Sequence, residues 1–323
     1  MGIGVAARAR VLRPGGCIGV VPPGSPLSPE RFAAGIAEIE RRGFSVRCPL
    51  DPSEFYGRYD HGFASASPQA RADALMALVA DDEVDTILAV RGAYGTLDIL
   101  PLLDYERIGA ARKIITGCSD VTALLLQCAA RSKIPAIHGP TLGSSFADSS
   151  AQAEAKESVD ALIAVLQDPD YRVEQTCAVL RPGSARGPVI AGNLTMLITL
   201  LGTPWDVDYS GAILVIEDVG EAPYRIHRAM VQLKLAGKLS SLGGLVFGRF
   251  ARCSAAQGPT VEEVFQMVVR DMVEGTDYPV FAGLESGHYG KNVPLSIGCD
   301  AKLEDGVFMC IESPLELATD AHL

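Results

Sequence analysis

The chain has 323 residues, enough at roughly 100 to 200 residues per domain for two domains or one large one, and too many for a small disulfide-held scaffold. With 48% hydrophobic residues, 21% charged residues and a mean hydropathy of +0.21, it can bury a large core, as disordered chains cannot. Its 28 Lys and Arg against 39 Asp and Glu leave a net charge of −11, which repels phosphate backbones and anionic lipid surfaces, so neither nucleic acid nor membrane is an expected partner.

Near the N-terminus, Arg8 and Arg10 interrupt the short apolar run after Met1, which leaves no apolar core for a secretory signal. Ala6 stands where an N-myristoylation motif needs Ser or Thr. A soluble cytoplasmic protein is expected. From residue 16 to 140, short apolar runs at 17–21, 44–47, 86–90, 113–116 and 134–137 alternate with helical stretches at 29–42 and after Ser67-Pro68. In the latter, Ser caps the helix and Pro takes its first position. That alternation predicts βα units around a doubly wound parallel sheet. The expected organisation is an N-terminal α/β domain over 1–145, an interdomain linker region over 146–187 and a C-terminal mixed α/β domain over 188–323. The linker holds a helical stretch at 151–166 and a loop-like stretch at 181–187. Strand candidates in the last part lie at 188–191, 212–216, 244–247, 295–298 and 306–311, with helices near 194–201, 224–236 and 260–274. Residues 188–205 form the longest uncharged stretch, but Asn193, Gly202 and Pro204 punctuate it, so a buried strand-turn-helix is expected there rather than a membrane span.

Eight cysteines stand singly, with no CxxC pair and no Cys/His grouping of zinc-site spacing. They are expected to be reduced, and no cofactor or metal is expected. Activity should therefore be indifferent to EDTA, and inactivation reversed by added zinc would contradict this.

In doubly wound sheets ligands bind beyond the carboxyl ends of the strands, so the residues after each apolar run carry the chemistry. Gly117-Cys-Ser-Asp-Val-Thr122 puts Ser119 on a sharp strand-to-helix turn, where a hydroxyl is exposed beside free backbone N–H groups. It misses the GxSxG form, since residue 121 is Val, and a plain helix N-cap accounts for the same residues. Arg91-Gly-Ala-Tyr-Gly95 could offer amides to an anion or be a tight turn only. It lacks the dinucleotide and P-loop glycine patterns. Glu217 and Asp218 follow the run at 212–216 and could orient a histidine, though strand alternation sends them to opposite faces. Of the five histidines, His138, before Gly-Pro, and His288, between Gly287 and Gly290, are equal candidates for a general base. His227 falls in a helix, and His61 and His322 read as loop and tail.

Taken in order, Arg91-Gly-Ala-Tyr-Gly95, Gly117-Cys-Ser-Asp-Val-Thr122, His138-Gly-Pro140, Gly192-Asn-Leu-Thr195 with Gly202-Thr203, Ile216-Glu-Asp-Val-Gly-Glu221 with Tyr224 and Arg228, and Gly287-His288 resemble the LD-carboxypeptidases, the S66 serine peptidases, over nearly the whole chain. That family includes the microcin C self-immunity peptidases. The resemblance implies Ser119 as nucleophile, His288 as general base and Glu217 as the residue orienting it. It implies an oxyanion hole from the backbone N–H of Asp120 plus that of Gly92 or Ala93. Where the family usually shows two consecutive glycines this chain has Gly92-Ala93, and where it commonly shows Ala-Pro-Ser-Ser this chain has Pro22-Pro-Gly-Ser25. Ser25, Tyr94 and His138 are the implied substrate contacts. The implied substrate is a murein tetrapeptide losing its terminal D-alanine, and the implied assembly is a homodimer. The alternatives are a peptidyl or aminoacyl nucleotide, which needs an aromatic platform, and a non-catalytic two-lobed small-molecule binder. Trp205, the only tryptophan, is expected on the core side of its segment, which weighs against the nucleotide.

Overall fold

The computed structural model describes residues 2–51, 63–288 and 290–316; His61 and His322 lie outside them. The chain forms two sheets with helices around them, the α/β class expected. In the first, β1 (Cys17–Val21), β2 (Ser45–Arg47), β3 (Val84–Ala89), β4 (Ile115–Gly117) and β5 (Ala136–His138) run parallel in the order β5-β4-β3-β1-β2. Every residue of β1 and β3 is buried, as a sheet covered on both faces by helices requires. Helix α1 (Pro29–Arg41) starts at the expected Pro29, with Ser28 accepting from the Arg31 N–H, and α2 (Pro68–Ala80) starts with the expected cap, Ser67 accepting from the Ala70 N–H. The strand order reverses between β1 and β3, so the turns after these strands open on one crevice, where such sheets bind ligands.

After β3 come α3 (Thr96–Ile99) and α4 (Tyr105–Ala111). After β4 comes α5 (Thr122–Gln127), whose six residues are all buried, the mark of a helix enclosed on every side. The segment expected to pass between domains contains α6 (Ala153–Gln167) and then β6 (Glu174–Thr176) and β7 (Ala178–Arg181), which already belong to the second sheet.

That sheet continues with β8 (Ala185–Asn193), β9 (Ile213–Val219), β10 (Gly244–Ala251), β11 (Val280–Ala282), β13 (Asp300–Glu304) and β14 (Val307–Cys310), in the order β6-β14-β13-β8-β9-β10-β11-β7. Its core, β8 to β11, is parallel. Cys177 alone separates β6 from β7, so the two ends of the order are consecutive stretches of one strand. One stretch of chain thereby borders both ends of the sheet.

The strand expected at 295–298 departs from its assigned half. It is β12 (Leu295–Ile297), and it pairs antiparallel with β5 at the border of the first sheet, Leu295 opposite His138. The chain therefore crosses back once between the sheets. Residues 188–205 form the expected strand-turn-helix, β8 into α7 (Leu194–Leu200), with the Asn193 side chain capping the helix on Met196 N–H. Among the described residues, no helix is long and apolar enough to cross a membrane.

Candidate active site

Ser119 opens a single 3-10 turn between β4 and α5, and its φ is +63°. A non-glycine residue held in the left-handed region stores on the order of 1 to 2 kcal/mol. Gly117 permits the tight approach, since a Cβ there would lie 2.7 Å from Val121 Cγ1. The neighbouring Cys118 thiol is pushed up by burial, which keeps it protonated and a poor nucleophile.

The turn after β3 packs against this elbow. A Cβ on Gly92 would fall 2.9 Å from Ser119 Cβ and 3.0 Å from Asp120 N, so no side chain fits there. Asp120 fastens the two turns from the other side: its carboxylate accepts the Thr96 N–H at 2.8 Å. Burial raises the Asp120 carboxyl above its ordinary range despite that bond. Ala93 sits at φ +69° with its methyl exposed. Ala93→Gly is therefore expected to relieve backbone strain without losing packing and to stabilise the protein by up to about 1 kcal/mol. Urea unfolding checks this, and a lower midpoint would contradict it.

The turn after β1 completes this wall. Ser25 donates its N–H to Gly92 O at 3.0 Å and its hydroxyl to Phe63 O at 2.6 Å, so the hydroxyl is already engaged by backbone. Tyr94 is 55% exposed, and its ring centroid lies 5.6 Å from that of Phe63, which is 60% exposed.

The second sheet brings the acid and the imidazole. Glu217, near the carboxyl end of β9, is 1% exposed, and its Oε2 lies 2.6 Å from His288 Nδ1; the His288 backbone N–H donates to the same oxygen at 3.3 Å. Burial alone would raise the Glu217 carboxyl, but attraction to His288 and their hydrogen bond outweigh it and hold it low. Burial likewise works to lower the His288 imidazole, and the Glu217 carboxylate outweighs it and raises it. Gly287 makes the contact possible: its φ is +131°, and a Cβ there would lie 2.8 Å from Glu217 Oε2. The loop is anchored by the Gly287 N–H on Asn292 Oδ1 and by the Asn292 N–H on Ser158 Oγ of α6.

Asp218 has partners other than His288. It accepts from Asn193 Nδ2 and Val219 N at 2.8 Å each, and from Thr195 N at 3.0 Å and Thr195 Oγ1 at 2.8 Å, so it secures the start of α7. His138 is 1% exposed, and burial pushes its imidazole down to about 4. It stays neutral near the Glu217–His288 pair and is closed to solvent, which sets it apart from His288, whose side chain is 19% exposed. These residues meet where the sheets dock. Asn193, the register partner of Glu217, donates its N–H to Thr122 Oγ1 of α5 at 3.1 Å, and the Glu217 charge acts on Cys118. Trp205 lies half-buried at another point of this docking, packed against the core as expected, 5.9 Å from the Tyr105 ring and beneath the Arg131 guanidinium.

Chemically, a strained serine packed against the glycine turn after β3, together with an imidazole held at Nδ1 by a buried carboxylate, is a set of parts for acyl transfer. Among the described residues, no three His, Cys, Asp or Glu side chains are grouped to hold a metal, and all eight cysteines are unpaired. Two contributions escaped the sequence reading. The fastening of the two turns by the Asp120 side chain has no motif of its own, and the role of Asn193 beside Glu217 comes from strand register.

Residues 18–139 match the LD-carboxypeptidase N-terminal domain and residues 186–303 the LD-carboxypeptidase C-terminal domain. A relative from Synechocystis sp., whose name assigns it provisionally to the carboxypeptidases, is 33% identical over 91% of this chain and 93% of its own length. The murein tetrapeptide carboxypeptidase of Pseudomonas aeruginosa is 28% identical over 90% of this chain and 93% of its own. The solved structure of the microcin C7 self-immunity protein MccF with aspartyl sulfamoyl adenosine has the same fold, with a TM-score of 0.86, 24% identity, and coverage of 96% of this chain and all of that one. On these matches and this architecture, the chain belongs to the LD-carboxypeptidase family, the S66 peptidases.

Proposed function

We propose that the protein is a serine carboxypeptidase that releases the terminal D-alanine of murein tetrapeptide. The observation that carries the reading is the 2.6 Å contact between His288 Nδ1 and a buried Glu217 carboxylate, whose charge reaches Cys118, the residue before Ser119. The lobe over 1–145 supplies the nucleophile, and the lobe over 188–323 supplies the acid and the histidine. Ser119 Oγ attacks the carbonyl of the diamino-acid residue while His288 Nε2 takes its proton. Glu217 holds the imidazole with Nδ1–H toward itself and stabilises the imidazolium. The oxyanion is met by the Asp120 N–H and one from Gly92 or Ala93. Collapse breaks the amide, with His288 returning the proton to the leaving D-alanine amine. Water, activated by the same imidazole, then hydrolyses the ester and frees Ser119. The unpaired cysteines suit a reducing cytoplasm as its compartment, and the homodimer is part of the same proposal.

The decisive experiment incubates the protein with murein tri-, tetra- and pentapeptides and weighs the products by mass spectrometry. The tetrapeptide should lose one alanine. The pentapeptide, whose terminal bond joins two D-residues, should not, and an unchanged tetrapeptide would end this reading. A second reading, a peptidyl or aminoacyl nucleotide substrate, is favoured by the exposed Phe63–Tyr94 ring pair beside the turn after β3, which could stack a base. Aspartyl sulfamoyl adenosine run in parallel separates the two, since only the nucleotide reading expects it to be cleaved.

The acid limb of the rate profile is a further test. His288 must be neutral to take the serine proton, and its pKa is raised by Glu217. Thus kcat/KM should rise with pH through an apparent pKa above the ordinary imidazole value of about 6.5. Removing the charge by Glu217→Gln should move that limb of the residual activity to lower pH. A limb that stays in place would uncouple the two residues.

A further inference from the structure

Arg71 lies in α2, where the other buried positions are Ala72, Ala74, Leu75, Leu78 and Val79, yet its side chain is 0% exposed. A guanidinium stays charged at any physiological pH, so enclosing one is costly unless its planar fork of donors is matched. Among the described residues its matches include backbone carbonyls from separate loops. Nε donates to Ala66 O at 3.0 Å, in the segment before α2. Nη1 donates to Gly95 O at 2.7 Å, in the turn after β3, and also to Pro23 O, in the turn after β1. Nη2 faces the Asp98 carboxylate at 3.7 Å.

The three loops also hold one another. Ser65 donates its N–H to Gly24 O at 3.0 Å and its hydroxyl to Pro22 O at 3.2 Å, and Ser25 N–H reaches Gly92 O. The peptide joining Gly95 to Thr96 is pinned at both ends, its C=O by Arg71 and its N–H by the Asp120 carboxylate. At Gly95 the φ is +118°, and a Cβ would lie 2.8 Å from Nη1, so the turn and the guanidinium are fitted to each other. Arg71 thus grips the turn bearing Gly92 and Ala93 from behind, through a peptide that ends on the residue after Ser119.

We propose that Arg71 is the positioning residue of the site, its buried guanidinium fixing the turn after β3 so that the amide of Gly92 or Ala93 faces the oxygen of the carbonyl that Ser119 attacks. The proposal rests on the reading of Ser119 as nucleophile and of this turn as an oxyanion donor. Lysine, a point charge on a flexible stem, cannot satisfy three carbonyls with a planar fork.

The test compares wild type, Arg71→Lys and Arg71→Ala, each checked by circular dichroism and thermal melting. Three quantities are read: kcat and KM for D-alanine release from murein tetrapeptide, the rate of Ser119 labelling by a fluorophosphonate, and the effect of added guanidinium chloride at millimolar, non-denaturing concentration. Both variants should lose kcat by on the order of a hundredfold to a thousandfold, as on loss of an oxyanion donor, with KM within a few-fold of wild type and labelling slowed in proportion. Guanidinium should restore part of the kcat of Arg71→Ala and none to wild type. A folded variant with wild-type kcat, a loss confined to KM, or guanidinium raising the melting temperature without raising kcat would overturn the role of Arg71. If Arg71→Ala does not fold, Arg71→Lys carries the same kcat and labelling criteria. A wild type that neither cleaves the tetrapeptide nor takes the label at Ser119 would overturn the nucleophile reading and this proposal with it. A labelled wild type with equally labelled variants would overturn this proposal alone.

Discussion

Ser119→Ala is expected to abolish release of D-alanine, with a loss on the order of a millionfold in kcat, while the protein folds and melts as before. Alanine removes only Oγ from a half-buried position and occupies the left-handed φ of +63° no worse than serine does. The elbow therefore keeps its shape, and the loss reports on chemistry. No neighbouring group can stand in, because the Cys118 thiol is buried and held protonated. The measurement is product formation over long incubations, with fluorophosphonate labelling as the companion readout. A mutant retaining a tenth of wild-type activity, or labelled as fast as wild type, would remove Ser119 from the mechanism.

The residues that announce the site in the sequence are those whose backbone does something unusual locally. Gly117 and Ser119 frame a strand-to-helix turn, and Gly92 lies in the turn after a buried strand, so their types and spacing carry the geometry. The apolar runs of β1 and β3 and the Ser-Pro starts of α1 and α2 are legible for the same reason: each is set within a few residues. Other features depend on what lies across the fold. The polar triplet Glu174-Gln-Thr176 of β6 shows no apolar run and becomes a strand only because β14 lies beside it. The strand β12 reads as belonging to the second half of the chain but is claimed by β5 of the first sheet. The alternation of Asp300–Glu304, with buried Ala301 and Leu303, is a readable strand signal that the short apolar runs on either side overshadow. Burial separates the two candidate histidines, and burial is a property of the packed molecule: His138 is sealed between β4 and β12, while His288 sits on a glycine loop. Arg71 within an apolar helix carries a signal of a different kind, a charge where the pattern asks for none, and what it serves becomes visible only with three loops folded around it.

The choice between the adjacent carboxylates Glu217 and Asp218 leads to the second large effect. Glu217→Gln keeps the size and shape of the side chain but removes the charge that stabilises an imidazolium, and the amide can present a donor to Nδ1 and so favour the wrong tautomer. The comparable Asp-to-Asn change in chymotrypsin-type serine proteases costs about 10⁴ in kcat, and a similar loss is expected here. Asp218→Asn should behave differently in kind. Its carboxylate collects donors from Asn193, Val219 and Thr195 and none from His288, so replacing one oxygen by an NH₂ group sets donor against donor at the start of α7. The expected result is a loss of stability of about 1 to 3 kcal/mol with kcat within about tenfold of wild type. Asp120→Asn is the intermediate case. Its backbone N–H is the proposed oxyanion donor and survives, but its side chain accepts the Thr96 N–H that ties the two turns. An amide oxygen can keep that bond, so the loss in kcat should fall well short of that at Glu217. The three variants are compared by kcat on murein tetrapeptide after their melting temperatures are known. Equal losses of kcat at Glu217 and Asp218, or a larger one at Asp218 in a folded protein, would transfer the orienting role away from Glu217.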